Sequence, residues 1–277
     1  MNLIHTKLKA KIISKQELVP HIFLLKLKAP LLTQSAIPGQ FIHIQCSENN
    51  YPLLRRPFSL HRIDKKKGEA YILFQVVGEG TKILSQRKEE EYLDILGPLG
   101  NGFNLNLESK SIMLVGGGMG VAPLLALAEE GVKMGKKVKV LISALTKNLI
   151  IREEAFKKCG AEVEVITEDG SYSDQGLITD LLKKNLQKKD YLPEQLFACG
   201  PKAMLKEVVK ICTGFPFDLQ VSLEERMGCG IGACLGCVCK IKVAEKKDRK
   251  NFQNDYVYKR VCIDGPIFKG EEVVWDD

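Results

Sequence analysis

The chain has 277 residues, 45% of them apolar, and carries a formal net charge of +7. That length exceeds one compact core and suits two or three domains. Lys and Arg are spread along the chain, mostly near Asp or Glu, which speaks against a nucleic-acid binder. Even the densest basic stretch, Lys240 to Lys250, is broken by Glu245 and Asp248 and reads as a solvated hairpin. No run reaches the roughly 18–20 apolar residues that cross a bilayer. The first fifteen residues alternate like a strand and lack the apolar core of a secretion signal. These features give the expectation of a cytoplasmic protein without a membrane span. Nine cysteines in a reducing compartment then ask for a metal or a redox role.

From Met1 to about Leu105 the pattern is short strands and turns. Strands are predicted at 8–13, 22–27, 40–45, 57–62 and 69–77. Pro38-Gly39, Lys67-Gly68 and Asn101-Gly102 punctuate them. Many short strands at close spacing predict a closed antiparallel barrel, residues 1–106. Within it, Arg55-Arg56-Pro57-Phe58-Ser59 starts a strand. A guanidinium fork matches a pyrophosphate, Phe58 can lie along a flavin, and the Ser59 hydroxyl can reach the flavin N5 edge. Strand alternation puts Arg56 with Phe58 on one face and Arg55 with Pro57 on the other. Gly78-Glu79-Gly80-Thr81 then opens a short helix whose N-terminus suits an anion. Leu96 to Gly100 closes the barrel.

From about Ser109 the period changes. Strands at 112–115, 138–142, 162–166 and 195–199 alternate with helices from near Val121 and at 151–158, 177–186 and 202–212. This predicts a parallel sheet covered by helices, residues 107–214. The first strand runs into Gly116-Gly117-Gly118-Met119-Gly120-Val121-Ala122-Pro123, where glycines let phosphates approach a helix start. It is not the standard dinucleotide fingerprint. Val121 stands where the third glycine belongs, and Ser143-Ala144, with no acid, end the next strand. Cys199-Gly200-Pro201 occupies a later strand-to-helix turn, which puts a thiol at the carboxyl edge, where such sheets bind ligands. Cys199 is thus a candidate catalytic residue.

The last unit, 215–277, holds Cys229, Cys234 and Cys237 in C-x4-C-x2-C spacing, with Cys262 beyond a polar hairpin. That is the spacing of plant-type [2Fe–2S] sites. Gly228, Gly230, Gly232 and Gly236 allow backbone amides to approach the sulfurs. A zinc site would more often show paired C-x2-C knuckles. Cys239, predicted on a strand, reads as a small packed or semi-exposed thiol, and Cys46, Cys159 and Cys212 as core hydrophobes. His5, His21, His43 and His61 all fall in the barrel, away from every motif, and read as structural or surface residues.

Taken in order, Arg-x-aromatic-Ser, Gly-x-Gly-Thr, Gly-Gly-Gly-x-Gly-x-Ala-Pro and Cys-Gly-Pro resemble the ferredoxin–NADP reductase family. With Met227 to Cys239 and Val261-Cys262-Ile263-Asp264-Gly265-Pro266 appended, the chain is similar over nearly its whole length to the electron-transfer subunits of bacterial dihydroorotate dehydrogenase B. The resemblance implies FAD on Arg56, Pro57, Phe58, Ser59, Leu73, Phe74, Gln75, Gly80 and Thr81. It implies a cluster on Cys229, Cys234, Cys237 and Cys262, with Cys239 outside. It implies NAD rather than NADP at Gly116, Gly117, Gly118, Gly120, Gly200 and Pro201. No acid after the second strand supports that choice, and Lys147 leaves room for a 2′-phosphate. The implied partner is an FMN-containing catalytic subunit, two of each chain, oxidising dihydroorotate in pyrimidine synthesis. Electrons then run from cluster to FAD to NAD⁺, and the apolar stretch Ile231 to Gly236, rimmed by the Lys240–Lys250 hairpin, is the expected docking surface. Flavin–iron–sulfur subunits of a sulfide dehydrogenase or a ferredoxin-dependent transhydrogenase share these motifs. A self-sufficient ferredoxin reductase and a zinc-bearing module on a degenerate flavin fold are the further alternatives.

Overall fold

The computed structural model describes residues 6–49, 51–188, 192–243 and 255–275. Most of the predicted Lys240–Lys250 hairpin lies outside them.

The N-terminal strands are β1 (Thr6–Val19), β2 (Ile22–Lys28), β3 (Phe41–Gln45), β4 (Arg56–Asp64), β5 (Glu69–Gln75) and β6 (Tyr92–Leu99). They close a barrel in the order β1-β2-β5-β4-β3-β6, every pair antiparallel. Alternation fills the interior with Ile12, Leu25, Leu27, Ile42, Ile44, Leu60 and Ile72, all fully buried. Two short helices interrupt the barrel: α1 (Pro30–Ser35), with no counterpart in the sequence reading, and α2 (Glu79–Gln86). The segment from Leu96 closes the barrel as expected: it is the end of β6, which pairs with both β1 and β3.

The second unit contributes β7 (Ser111–Gly117), α3 (Leu124–Lys133), β8 (Lys137–Ala144), α4 (Glu153–Lys158), β9 (Glu162–Thr167), β10 (Asp174–Gln175), α5 (Ile178–Leu186), β11 (Gln195–Cys199) and α6 (Lys202–Cys212). The glycine motif first makes one 3₁₀ turn, Gly118–Val121, and the α-helix begins only after Pro123. A further strand β12 (Asp218–Ser222) and, after the hairpin β13 (Val238–Lys242) and β14 (Tyr256–Arg260), the short strand β15 (Ile267–Lys269) extend the sheet. The order is β10-β9-β8-β7-β11-β12-β15, parallel except for the antiparallel β15.

The C-terminal segment is therefore stitched to the sheet rather than appended to it. Cys237, Val261, Cys262 and Val273 bury into the core that holds Met113, Leu196 and Leu205. The barrel packs on the other side: Arg62 Nε lies 2.7 Å from Glu129 Oε1 on α3, and Phe103 stands edge-on to Phe197. Among the described residues no helix is long and apolar enough to cross a membrane.

Candidate functional site

At the start of β4 the two arginines point apart. Arg55 turns to Asp94, donating to its Oδ1 at 2.6 Å and to its carbonyl at 2.9 Å. Arg56 turns into a cleft that it lines with Pro57, Phe58, Ser59, Leu73, Phe74, Gln75 and Thr81. Gly80 lies under the Arg56 guanidinium; a Cβ there would sit 3.0 Å from Nε. Glycine thus lets the charged fork rest on the first turn of α2. Thr81 fixes that turn, its Oγ1 accepting from Val77 N and Gly78 N and donating to the Gly78 carbonyl. Phe58 and Phe74 meet edge-to-face with centroids 5.6 Å apart. Cation, helix start and aromatic floor thus share one concave surface.

A second cleft opens at the carboxyl edge of the sheet, lined by Gly117, Gly118, Gly120, Gly200 and Pro201. Gly116 is buried behind them against Val121 and does not reach it. At Gly120 a side chain would collide with the Cys199 carbonyl, so glycine is what allows the two strand ends to close. Cys199 lies beneath this edge, 1% exposed and not on the cleft surface, and burial pushes its thiol up. The C-terminal segment supplies walls that the sequence reading did not assign: Cys239, Lys240, Tyr258 and Trp275. Cys239, Lys240 and Tyr258 gave only alternation within a strand, which does not say what the strand faces, and Trp275, beyond the last strand, gave none.

The acid missing from the end of β8 arrives from β9. Glu168 N donates to Ala144 O and Asp169 N to Leu145 O, so both residues stand beside the β8 end. Ser171 Oγ donates to Asp169 Oδ1 at 2.6 Å, and that hydroxyl and the Ser171 amide hold the carboxylate below its usual range. Lys147 places its ammonium over the Tyr172 ring, 5.7 Å from the centroid.

In the cysteine segment, Cys229 Sγ accepts from the amides of Ile231, Ala233 and Cys234 at 3.3–3.4 Å. Cys262 Sγ accepts from Gly232 N at 3.2 Å, and Cys237 Sγ from Cys262 N at 3.4 Å. Cys229 lies beside Cys234 and Cys262 beside Cys237, and Cys229 is near enough to act on Cys262 as well. Among the described residues no three His, Cys, Asp or Glu side chains gather on one point as a single ion requires. Burial pulls the Cys229 thiol up, but the amides and Cys234 outweigh it and bring it down to about 7. Paired thiols with amides aimed at them fit a dinuclear iron–sulfur group. Cys239, one residue beyond β13's start, pairs across the hairpin with Lys259, and burial pushes its thiol up to about 12.

Two histidines stand nearer the motifs than the sequence suggested. His61 is fully buried; Arg152 Nε donates to its Nε2 at 3.0 Å, so its Nδ1 carries the proton toward Ala122 O, 2.8 Å away in the glycine motif. Burial, with Arg152, lowers its pKa to about 3. His43 is also fully buried, pairs in register with Pro57, and lies against Gly230 of the cysteine loop. Burial, then Arg55 and Arg56, lowers it to about 4. The sequence read both only as structural or surface residues away from every motif, and carried no signal for contacts with segments more than sixty residues away.

Barrel, parallel sheet and cysteine loop define a ferredoxin-reductase-like flavin and nicotinamide fold joined to an iron–sulfur site. Residues 224–274 match the model for the iron–sulfur cluster binding domain of dihydroorotate dehydrogenase B. The chain is 41% identical over 269 residues to the dihydroorotate dehydrogenase B (NAD(+)) electron transfer subunit of Caldanaerobacter subterraneus subsp. tengcongensis, covering 97% of this chain and 99% of that one. It is 38% identical over 267 residues to that of Desulforamulus reducens, covering 96% and 98%. It belongs to the family of dihydroorotate dehydrogenase B electron transfer subunits. Among solved structures, an NADH-dependent reduced ferredoxin-NADP oxidoreductase, described in terms of flavin-based electron bifurcation, superposes with TM-score 0.82 at 28% identity over 96% of this chain and 90% of that one. The ferredoxin reductase in carbazole 1,9a-dioxygenase shares the fold, with TM-score 0.68 at 21% identity over 78% and 68%.

Proposed function

We propose that the chain passes electrons from the FMN-containing catalytic subunit of dihydroorotate dehydrogenase B, through a [2Fe–2S] cluster and FAD, to NAD⁺ in pyrimidine biosynthesis. One observation carries the reading: the two clefts meet. Gln75, Met119, Leu223, Glu224 and Glu225 line both, so a ring bound in one abuts a ring bound in the other. Bound flavin exchanges single electrons with a cluster and a hydride with nicotinamide, and the chain's part is to position both.

In this reading Arg56 and the α2 start hold the FAD diphosphate, and Pro57, Phe58, Ser59, Leu73, Phe74, Gln75, Gly80 and Thr81 shape its bed. Gly117, Gly118, Gly120, Gly200 and Pro201 admit the NAD phosphates and nicotinamide, Gly116 packs beneath them, and Cys199 supports the floor under the nicotinamide end. The carboxylates of Glu168 and Asp169 beside Leu145 favour a free 2′-hydroxyl over a 2′-phosphate, which supports NAD. Cys229, Cys234, Cys237 and Cys262 hold the cluster. The units 1–106, 107–214 and 215–277 then carry FAD, NAD and cluster in turn. The catalytic subunit docks at the exposed loop of Ile231 and Leu235, the latter 61% exposed, with two copies of each chain in the complex. A cytoplasmic site belongs to the same proposal, supported by nine cysteines kept as free thiols.

The test is reconstitution. The isolated chain should reduce an artificial acceptor with NADH and leave dihydroorotate untouched. Adding the catalytic subunit should create dihydroorotate-dependent NAD⁺ reduction, and Leu235→Glu should abolish only that gain. Dihydroorotate oxidation by the chain alone, or no gain with the partner, would sink the reading.

A further inference from the structure

His43 is wholly buried on β3, and neither of its ring nitrogens has a hydrogen-bond partner in the protein. An imidazole carries a proton on at least one nitrogen, so a donor is held in the interior with nothing to receive it. Its surroundings on the two sides differ. On one side β3 pairs His43 with Pro57, and the Phe41 ring stands edge-on at 6.1 Å; Pro57 and Phe41 both line the flavin cleft. On the other side the ring lies on Gly230, directly after Cys229. Gly230 takes the left-handed conformation, φ +72°, and a Cβ there would sit 2.7 Å from His43 Nδ1. Glycine clears the space through which the imidazole meets the cysteine loop. The loop's own amides serve the sulfurs of Cys229 and Cys262, and the His43 donor approaches from the barrel.

We propose that His43 is a positioning residue for the iron–sulfur group, donating a ring N–H hydrogen bond to the sulfur core held by Cys229, Cys234, Cys237 and Cys262, on the side that faces the flavin. This rests on the cluster assignment above. A donor to those sulfurs stabilises the more negative reduced state and so raises the reduction potential. It also holds the group against the strand that walls the flavin cleft.

The test uses the full chain labelled with ¹⁵N in histidine alone, with the cluster reduced. Pulsed EPR should show a histidine nitrogen coupled to the cluster spin, and His43→Phe should lose that coupling. In His43→Phe the one-electron equilibrium of the cluster should shift at least about tenfold toward the oxidised form, about 59 mV lower in potential, with FAD content unchanged. His43→Gln, which keeps an N–H, should recover part of the shift. No histidine coupling in the wild type overturns the proposal, and so does an unmoved potential in a cluster-bearing His43→Phe. If His43→Phe retains no cluster, the wild-type coupling and the His43→Gln potential decide. Iron and sulfide analysis of the wild type separates a failure of the cluster assignment from a failure of His43.

Discussion

The barrel meets the rest of the chain at two seams, each centred on a buried histidine, and they are finished differently. At His61 both ring nitrogens are satisfied by protein: one faces the Ala122 carbonyl and the other accepts from Arg152. At His43 neither is. The first seam joins two preformed cores and is complete in the chain itself. The second faces a loop of glycines and cysteines whose amides point at sulfurs. A buried donor without an acceptor opposes folding. The loop is therefore the part whose stability depends on what it binds, as in other small metal-bearing units.

The largest expected break in this contrast is at the sulfurs. Cys234→Ser should lose the cluster entirely while FAD remains, whereas Cys239→Ser, on the far side of β13's start, should keep both. Iron content and the visible spectrum read this directly, and equal loss in the two variants would make Cys239 a ligand. Next comes Gly230→Ala against Gly118→Ala. Both glycines are left-handed, at φ +72° and +54°, which costs a side chain about 1–2 kcal/mol. Only at Gly230 would a Cβ also meet a fixed ring; at Gly118 nothing lies within 4 Å. Overpacking against His43 should add about 1–3 kcal/mol. Denaturant midpoints of the two variants check it; matching losses would show that the His43 contact yields easily.

A comparable contrast runs at the start of β4. Arg56→Ala should weaken FAD binding by about tenfold or more, since a charge-assisted contact is worth about 1.5–3 kcal/mol. Arg55→Ala should leave that affinity nearly unchanged, because Arg55 is spent on Asp94. Titration of FAD into the two apo variants decides, and similar dissociation constants would remove Arg56 from the site. The smallest effect is at His61. Its imidazole is held from its ordinary 6.5 down to about 3, so the unfolded chain binds the proton first. Its contribution is full above 6.5 and declines as pH falls toward 3. At pH 5.5 it should be about 1.3 kcal/mol smaller than at neutral pH. His61→Asn should remove that part of the pH dependence, measured from denaturation at the two pH values; an unchanged difference would show that other groups carry it all, His43 among them, which burial lowers to about 4.

Much of this was legible in the chain. The strand at 195–199 and the helix at 202–212 stand where the pattern put them, because a buried run and an amphipathic run are local signals. Arg55 and Arg56 point apart as expected, but Pro57, expected with Arg55, lines the same cleft as Arg56 and Phe58, because the cleft wraps the start of β4 rather than one face of it. Cysteine spacing and interleaved glycines named the cluster because four thiolates around a small core restrict the chain between them. Less was legible where a local signal competes with a distant one. Pro123 holds the start of α3 back to Leu124, and β12 and β15 read as part of a separate C-terminal unit although they extend the sheet of the second unit, β12 parallel and β15 antiparallel.

What the sequence determined by itself, then, is the set of local chemistries: a guanidinium beside an aromatic and a hydroxyl, glycines at a strand end, four spaced thiols. Only the tertiary structure decided which of these touch. It brought Glu168 and Asp169 beside the end of β8, turned Cys239, Lys240 and Trp275 toward the glycine cleft, and laid His43 against Gly230. The physical reason is that strand pairing and core packing are long-range: a side chain's periodicity says which face it takes, and the partner of that face is set by elements far away in the chain.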